Sequence, residues 1–329
     1  MYESLGIVCQ GVGGPEVMQW TSITVRDIGP YEVLVQVLAA GVNRLDCLQR
    51  LGRYPVPPDA PPGLGLEVAG VVLQCGVAVS SLRVGDRVMG LVAGGGYATH
   101  CIVDELLCFP WPDGWSAEQA ATLPEALMTL CAHGFGAGRI QPGERVMVIG
   151  GAGGVGSCAT QVLATLGYCV WTTAGGEKKV SWCQRLGAKR CINYQTELIW
   201  EVMLAETNGS GVDVILDFVG GRDLDRKLET LSTGGRLVIM GLMQGARAEM
   251  NQGILLQRQL TILGVTLRQQ SLAKKERAAD YLRQIILPLI NQGRVQPLVD
   301  SVFPIQQVQL AHERMESGAH CGKIVLRVG

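Results

Sequence analysis

With 329 residues and a formal net charge of −1, from 28 Lys and Arg against 29 Asp and Glu, the chain is long enough for two domains with separate cores. Its basic clusters, Lys178-Lys179 and Lys274-Lys275-Glu276-Arg277, are small and far apart, so no phosphate-tracking surface forms and nucleic acid is not an expected partner. The opening Met1-Tyr2-Glu3-Ser4-Leu5 has no leader pattern, apolar runs long enough to span a membrane are absent, and the 11 scattered cysteines lack a C-x-x-C, which together predict a soluble cytoplasmic protein with reduced, buried thiols and no structural metal.

In chain order, residues 1–125 carry short strands at 33–40, 68–75, 86–92 and 97–103, interrupted by turns and a Pro-rich loop from Pro55 to Pro62. This predicts a mostly β domain of barrel type. From Arg145 the pattern changes, with strands at 145–149, 168–172, 190–193, 212–217, 235–240 and 261–265. Helical stretches at 156–166, 177–186, 196–207 and 223–231 lie between them, and Gly167 and Gly187 close two of these. Apolar strands alternating with helices predict an α/β fold, a doubly wound parallel sheet covered on both faces. A helix at 272–291, a strand at 301–303, a helix at 307–317 and a strand at 323–328 follow, too little for a domain of their own. The predicted division is therefore 1–125 with 268–329 as one discontinuous domain and 126–267 as an inserted one.

Gly151-Ala152-Gly153-Gly154-Val155-Gly156 falls between the strand at 145–149 and a helix, where backbone N–H groups and the helix dipole receive a pyrophosphate. Glycine abundance makes the motif weak alone, and its place after a strand and before a helix gives it force. An NAD site usually places an acid at the end of the second strand, whereas Thr172-Thr173-Ala174-Gly175-Gly176 has none. Ligands of such sheets sit beyond the C-terminal strand ends, which singles out Val219 after the fourth strand and Gly241-Leu242-Met243 after the fifth. These residues either flank a nicotinamide or simply turn strand into helix.

Asn43-Arg44-Leu45-Asp46, Gly52-Arg53-Tyr54, Gly65-Leu66-Glu67-Val68-Ala69-Gly70, Val84-Gly85-Asp86-Arg87-Val88, Leu123-Pro124-Glu125-Ala126, Gly153-Gly154-Val155-Gly156 and Gly322-Lys323-Ile324-Val325-Leu326 occur in the order found in zinc-independent, zeta-crystallin-like quinone oxidoreductases of the medium-chain dehydrogenase/reductase superfamily. The resemblance covers nearly the whole chain. Thr173-Ala174-Gly175 with Lys178-Lys179, and Gly241-Leu242-Met243, look nearest to the tumour-suppressor-inducible branch, from which Met240 and Gly153 depart.

The resemblance implies a GroES-like catalytic domain, a Rossmann domain, NADPH as cofactor and a homodimer, in which the strand at 261–265 pairs with its mate. Lys179 stands where the family sets a lysine against the 2′-phosphate, and Tyr194 matches a tyrosine beside it. Glu177 adds a negative charge nearby, which weakens the expected preference for NADPH. Zinc alcohol dehydrogenases of the superfamily hold their metal with a Cys and with the His of a Gly-His-Glu motif; the corresponding positions here resemble Asn43 and Leu66, so metal activation is not expected. A substrate that accepts hydride without a metal fits a quinone or an activated enone.

Tyr54 is the first candidate for the catalytic site, with a ring face for a flat acceptor and a hydroxyl donor. Spacing alone leaves it packed in the Pro-rich loop; the resemblance places it near the nicotinamide. Asn43 is the second, its amide holding the cofactor or polarising an oxygen, while Asp46 and Glu67 read as structural and His133 and His312 as packed side chains. The leading expectation is NADPH-dependent quinone reduction. Reduction of an enone or enoyl thioester is an alternative, and so is an NADPH-binding protein with a structural or RNA-contacting role.

Overall fold

A hairpin opens the chain, Tyr2–Cys9 (β1) pairing antiparallel with Met18–Val25 (β2). Next come Glu32–Val42 (β3), the short helix Arg44–Arg50 (α1), Glu67–Cys75 (β4), Arg87–Leu91 (β5), His100–Asp104 (β6) and Cys108–Pro110 (β7). Helices Ala117–Ala120 (α2) and Pro124–Thr129 (α3) follow, the latter continued by a wide helical stretch, Leu130–Ala137.

The middle of the chain alternates strand and helix: Arg145–Ile149 (β8), Gly154–Thr165 (α4), Cys169–Ala174 (β9), Glu177–Arg185 (α5), Arg190–Asn193 (β10), Ile199–Glu206 (α6), Val212–Asp217 (β11), Leu224–Thr230 (α7), Leu231–Ile239 (β12), Gln252–Gln257 (α8) and Thr261–Gly264 (β13). The last stretch holds Leu272–Tyr281 (α9), Leu287–Asn291 (α10), Val299–Pro304 (β14), Val308–Glu316 (α11) and Lys323–Arg327 (β15). Between α9 and α10 the turns widen over Leu282–Ile286, just before Pro288, which has no N–H to give to a regular ladder.

This computed structural model describes all 329 residues and divides into two units, Met1–Met128 with Ser271–Gly329 and Thr129–Gln270. The first crossing lies inside α3, three residues beyond the boundary expected at 125, because a continuous helix offers no Gly or Pro break there.

In the first unit, strands run in the order β14-β15-β3-β4-β5-β7, with β6 also on β3. The C-terminal strand is stitched to the N-terminal part of the chain, Ile324 opposite Val42 and Leu326 opposite Ala40. Val33, Val35, Val37, Val68, Val72, Val88, Ile324 and Leu326 form its core. In the second unit six parallel strands lie in the order β10-β9-β8-β11-β12-β13. Val146, Met147 and Val148 of β8 and Val214, Ile215 and Leu216 of β11 are all fully buried, the unbroken apolar runs of a sheet covered on both faces. The chain leaves β8 for β9 on one side and reaches β11 on the other, so the switch point lies at the C-terminal ends of β8 and β11.

Boundaries differ from the sequence pattern in a few places. Helix α4 begins at Gly154 rather than 156 and β12 at Leu231 rather than 235. Cys169, expected inside, is exposed at the first position of β9, while eight of the other thiols are buried and all are free.

Candidate active site

The turn between β8 and α4 is shaped by glycines that cannot be replaced without displacement. Gly150 has φ +89°, and its N–H donates to Thr173 Oγ1 at 3.1 Å while Gly151 N donates to Thr173 O at 3.0 Å. A Cβ on Gly151 would lie 1.6 Å from Thr172 Oγ1, and one on Gly156 only 2.2 Å from Gly150 O. Gly153 is different: it is the residue capping α4, with φ −71° and ψ 170°, and a Cβ there meets nothing nearer than 3.6 Å. The first-turn amides of α4, those of Gly154, Val155 and Gly156, have no acceptor within the helix, as at every helix start. The cradle thus fits a pyrophosphate: donors, dipole and close approach coincide at the switch point.

At the end of β9, Gly175 packs under Tyr194, whose hydroxyl would stand 2.5 Å from a Cβ on Gly175. Tyr194 itself is exposed and Lys179, in the first turns of α5, is half-buried. Glu177, the nearby acid, is held aside: Asn193 Nδ2 donates to its Oε1 at 3.2 Å, and Asn193 Oδ1 accepts from Gly176 N at 3.1 Å.

Beyond β11 and β12, two loops are tied together. Met240 N and Gly241 N donate to Asp217 O at 2.8 and 3.3 Å, and Gln244 N to Val219 O at 2.9 Å. Leu242 and Met243 are more than half exposed, apolar side chains held at the strand ends where a ligand of this sheet type binds. Val219, Gly241, Leu242 and Met243 are therefore brought together on the second unit.

On the first unit, Asn43, Asp46 and Glu67 share one buried network. Gly41 permits it, since a Cβ there would lie 2.3 Å from Glu67 Oε1. The Asn43 side chain is engaged at both ends: Nδ2 donates to Glu67 Oε1 at 2.8 Å, and Oδ1 accepts from Lys323 Nζ at 2.7 Å. Lys323 also forms an ion pair with Glu67, whose Oε2 accepts from Glu125 N at 2.9 Å. Asp46 accepts from Asn43 N, Gly65 N and the Tyr97 hydroxyl at 2.8, 3.0 and 2.9 Å, which fixes the loop carrying Gly65-Leu66. Burial raises the Asp46 carboxyl to about 6, against these three donors. Burial and the neighbouring Glu67 charge raise Glu125 to about 7.

Behind Asp46 the network is directional. Arg50 Nη1, a donor only, lies 3.2 Å from His312 Nδ1, which therefore accepts, leaving the proton on Nε2 to face the Tyr97 oxygen at 3.4 Å. Burial and Arg50 hold His312 neutral, its value lowered to about 3, and Glu316 balances Arg50. His133 is also buried, and burial lowers it to about 4. Tyr54 sits half-buried in the loop after α1, where Gly52 takes φ +65°.

Sequence reasoning missed two buried lysines. Lys323 stands out in the sequence only as part of a strand and of the motif Gly322-Lys323-Ile324-Val325-Leu326. Lys227 lies on the apolar side of α7 with Leu224 and Leu228, just before Leu231 opens β12, and a cation in such a stripe is a legible signal of a buried ion pair.

Residues 186–326 match the zinc-binding dehydrogenase family and residues 29–113 the alcohol dehydrogenase GroES-like domain. The chain is 31% identical to the quinone oxidoreductase of Mus musculus over 95% of this chain and 95% of that protein. The crystal structure of Escherichia coli quinone oxidoreductase complexed with NADPH superposes with a TM-score of 0.87 at 32% identity, covering 98% of this chain and all (100%) of that one. The enoyl reductase CurK superposes with a TM-score of 0.88 at 28% identity, with 100% of both chains covered.

Proposed function

The chain belongs to the medium-chain dehydrogenase/reductase superfamily, among its quinone oxidoreductases, and from that premise we propose that it oxidises NADPH and reduces a quinone. The observation that carries this reading is the glycine turn at the switch point, where Gly151 and Gly156 leave no room for a Cβ. NADPH, when bound, supplies a hydride. Gly154, Val155 and Gly156 hold its pyrophosphate through backbone amides and the α4 dipole, and Gly151 and Gly153 let it approach the turn closely. Gly175, Lys179 and Tyr194 hold the 2′-phosphate, with Lys179 supplying the charge and Asn193 keeping Glu177 engaged. Val219, Gly241, Leu242 and Met243 offer an apolar surface to the nicotinamide.

Tyr54 presents its ring to the flat acceptor and its phenol to the oxygen on which charge develops. Asn43, whose amide is committed to Glu67 and Lys323, acts as a positioning residue for the first unit's network rather than by contact. The edge strand β13, hydrogen-bonded on one side only, supports a homodimer built by pairing with a second copy. No helix is long and apolar enough to cross a membrane, and 11 free thiols support the cytoplasm as its compartment.

The likeness to the enoyl reductase CurK favours one second reading, reduction of a carbon-carbon double bond. Product analysis separates the two. Incubation with NADPH and an ortho-quinone is expected to yield reduced quinone; saturated thioester from an enoyl substrate, with no turnover of any quinone, would replace this reading by the second.

A further inference from the structure

Lys227 is 2% exposed, and its ammonium is held by two hydrogen bonds and by two carboxylates. It lies 2.8 Å from Asp217 Oδ2, 2.6 Å from the carbonyl of Gly220 and 3.2 Å from Asp223 Oδ1. The other oxygen of Asp217 accepts from Val219 N at 2.9 Å and Gly220 N at 3.0 Å. A buried cation is tolerated only when satisfied in this way, and losing one partner leaves a charge uncompensated. Buried and held by Asp217, Gly220 and Asp223, the Lys227 ammonium is engaged inside the chain.

What the ammonium holds is the turn after β11. Gly220 and Gly221 take φ +67° and +102°, and a Cβ on Gly220 would lie 2.9 Å from Gly241 O and 3.0 Å from Leu242 Cα. The shape of this turn is thus passed directly to the loop after β12. The bonds of Met240 N and Gly241 N to Asp217 O, and of Gln244 N to Val219 O, close the unit from the other side. Both loops stand at the C-terminal strand ends, β11 at the switch point and β12 beside it.

We infer that Lys227 is a positioning residue for the nicotinamide half of the cofactor, setting Val219 and Gly241-Leu242 as one rigid surface through Asp217 and Gly220. The inference rests on the NADPH reading above and adds a residue that no contact with the ligand would reveal. Because Lys179 and Tyr194 belong to different loops, the adenosine half is held independently of Lys227.

Two binding titrations on the full chain test it, one with NADPH and one with 2′,5′-ADP, which carries the adenosine half and its phosphate alone. In Lys227→Met, the NADPH dissociation constant is expected to rise about tenfold or more, as small misplacements of a positioning surface do, with 2′,5′-ADP binding within about twofold of wild type. Unchanged NADPH binding, or equal weakening of both ligands, would overturn the assignment, the latter because a merely structural role weakens both. Should Lys227→Met not fold, the charge-neutral pair Asp217→Asn with Lys227→Gln takes its place with the same expected and overturning results. Wild-type protein that binds neither ligand would instead remove the NADPH reading itself.

Discussion

Replacing Gly156 by Ala tests whether the glycine turn is a ligand cradle held at close tolerance. The new Cβ would stand 2.2 Å from Gly150 O and 2.9 Å from Gly150 C, and both obstacles are backbone, so no rotamer change relieves them. Ordinary contact requires the start of α4 and the Gly150 turn to move apart by about 1 Å, an overpacking strain of about 1–3 kcal/mol. The same displacement spreads the amides that meet the pyrophosphate, and a misplacement of that size reduces affinity by as much as about 100-fold. Gly153→Ser is the control. Its nearest neighbour is 3.6 Å away, its φ of −71° suits any residue, and serine is preferred at a helix cap, so stability is expected to hold or rise by a few tenths of a kcal/mol. Titration of each folded variant with NADPH, followed by fluorescence, alongside its melting temperature, reads both effects. Gly156→Ala binding NADPH within twofold of wild type, or Gly153→Ser losing as much as Gly156→Ala, would refute the reasoning.

Lys179→Ala is expected to raise KM for NADPH about tenfold while leaving KM for NADH unchanged, since only the former carries the 2′-phosphate; steady-state kinetics with both cofactors check it. Tyr54→Phe is expected to lower kcat/KM for an ortho-quinone about tenfold, the value of one hydrogen bond to developing charge, with NADPH binding unaltered in a parallel titration. The raised carboxyl of Glu125, about 7 when folded against an ordinary 4.5, stabilises the fold below pH ~4.5 and loses that contribution as pH rises through 7. Glu125→Gln should therefore gain stability relative to wild type as pH rises from 4.5 to 7, by an amount on the order of 3 kcal/mol at most, and a pH-independent difference in differential scanning calorimetry would contradict it.

The second unit was readable from sequence because its physics is local. Strands β8 and β11 are buried on both faces, so Val146-Met147-Val148 and Val214-Ile215-Leu216 appear as unbroken apolar runs between glycine-closed helices. The hairpin β1–β2 was not readable: Gly6 interrupts the alternation of β1, Gly11, Gly13 and Gly14 crowd the connection, and much of its surface is exposed. Helix α1 is seven residues long and follows an asparagine that invites a reading as a ligand, yet Asn43 is spoken for by Glu67 and by Lys323, 24 and 280 positions away. No spacing rule reports a partner at that separation. Asp46 and Glu67 were legible as structural acids only in kind; that one accepts from Gly65 N and the Tyr97 hydroxyl and the other meets a buried ammonium is set by the tertiary fold. Lys227 was the nearest miss, since its place in an apolar stripe marked it while its partners at the β11 turn did not show.

The most direct test of the account is the consumption of NADPH by the purified chain, followed by absorbance with and without an added ortho-quinone and with and without a strong chelator. The account predicts oxidation that depends on the quinone, stays unchanged in the chelator and slows in Gly156→Ala. Absence of acceleration by any member of a quinone panel, from protein that binds NADPH, would contradict it.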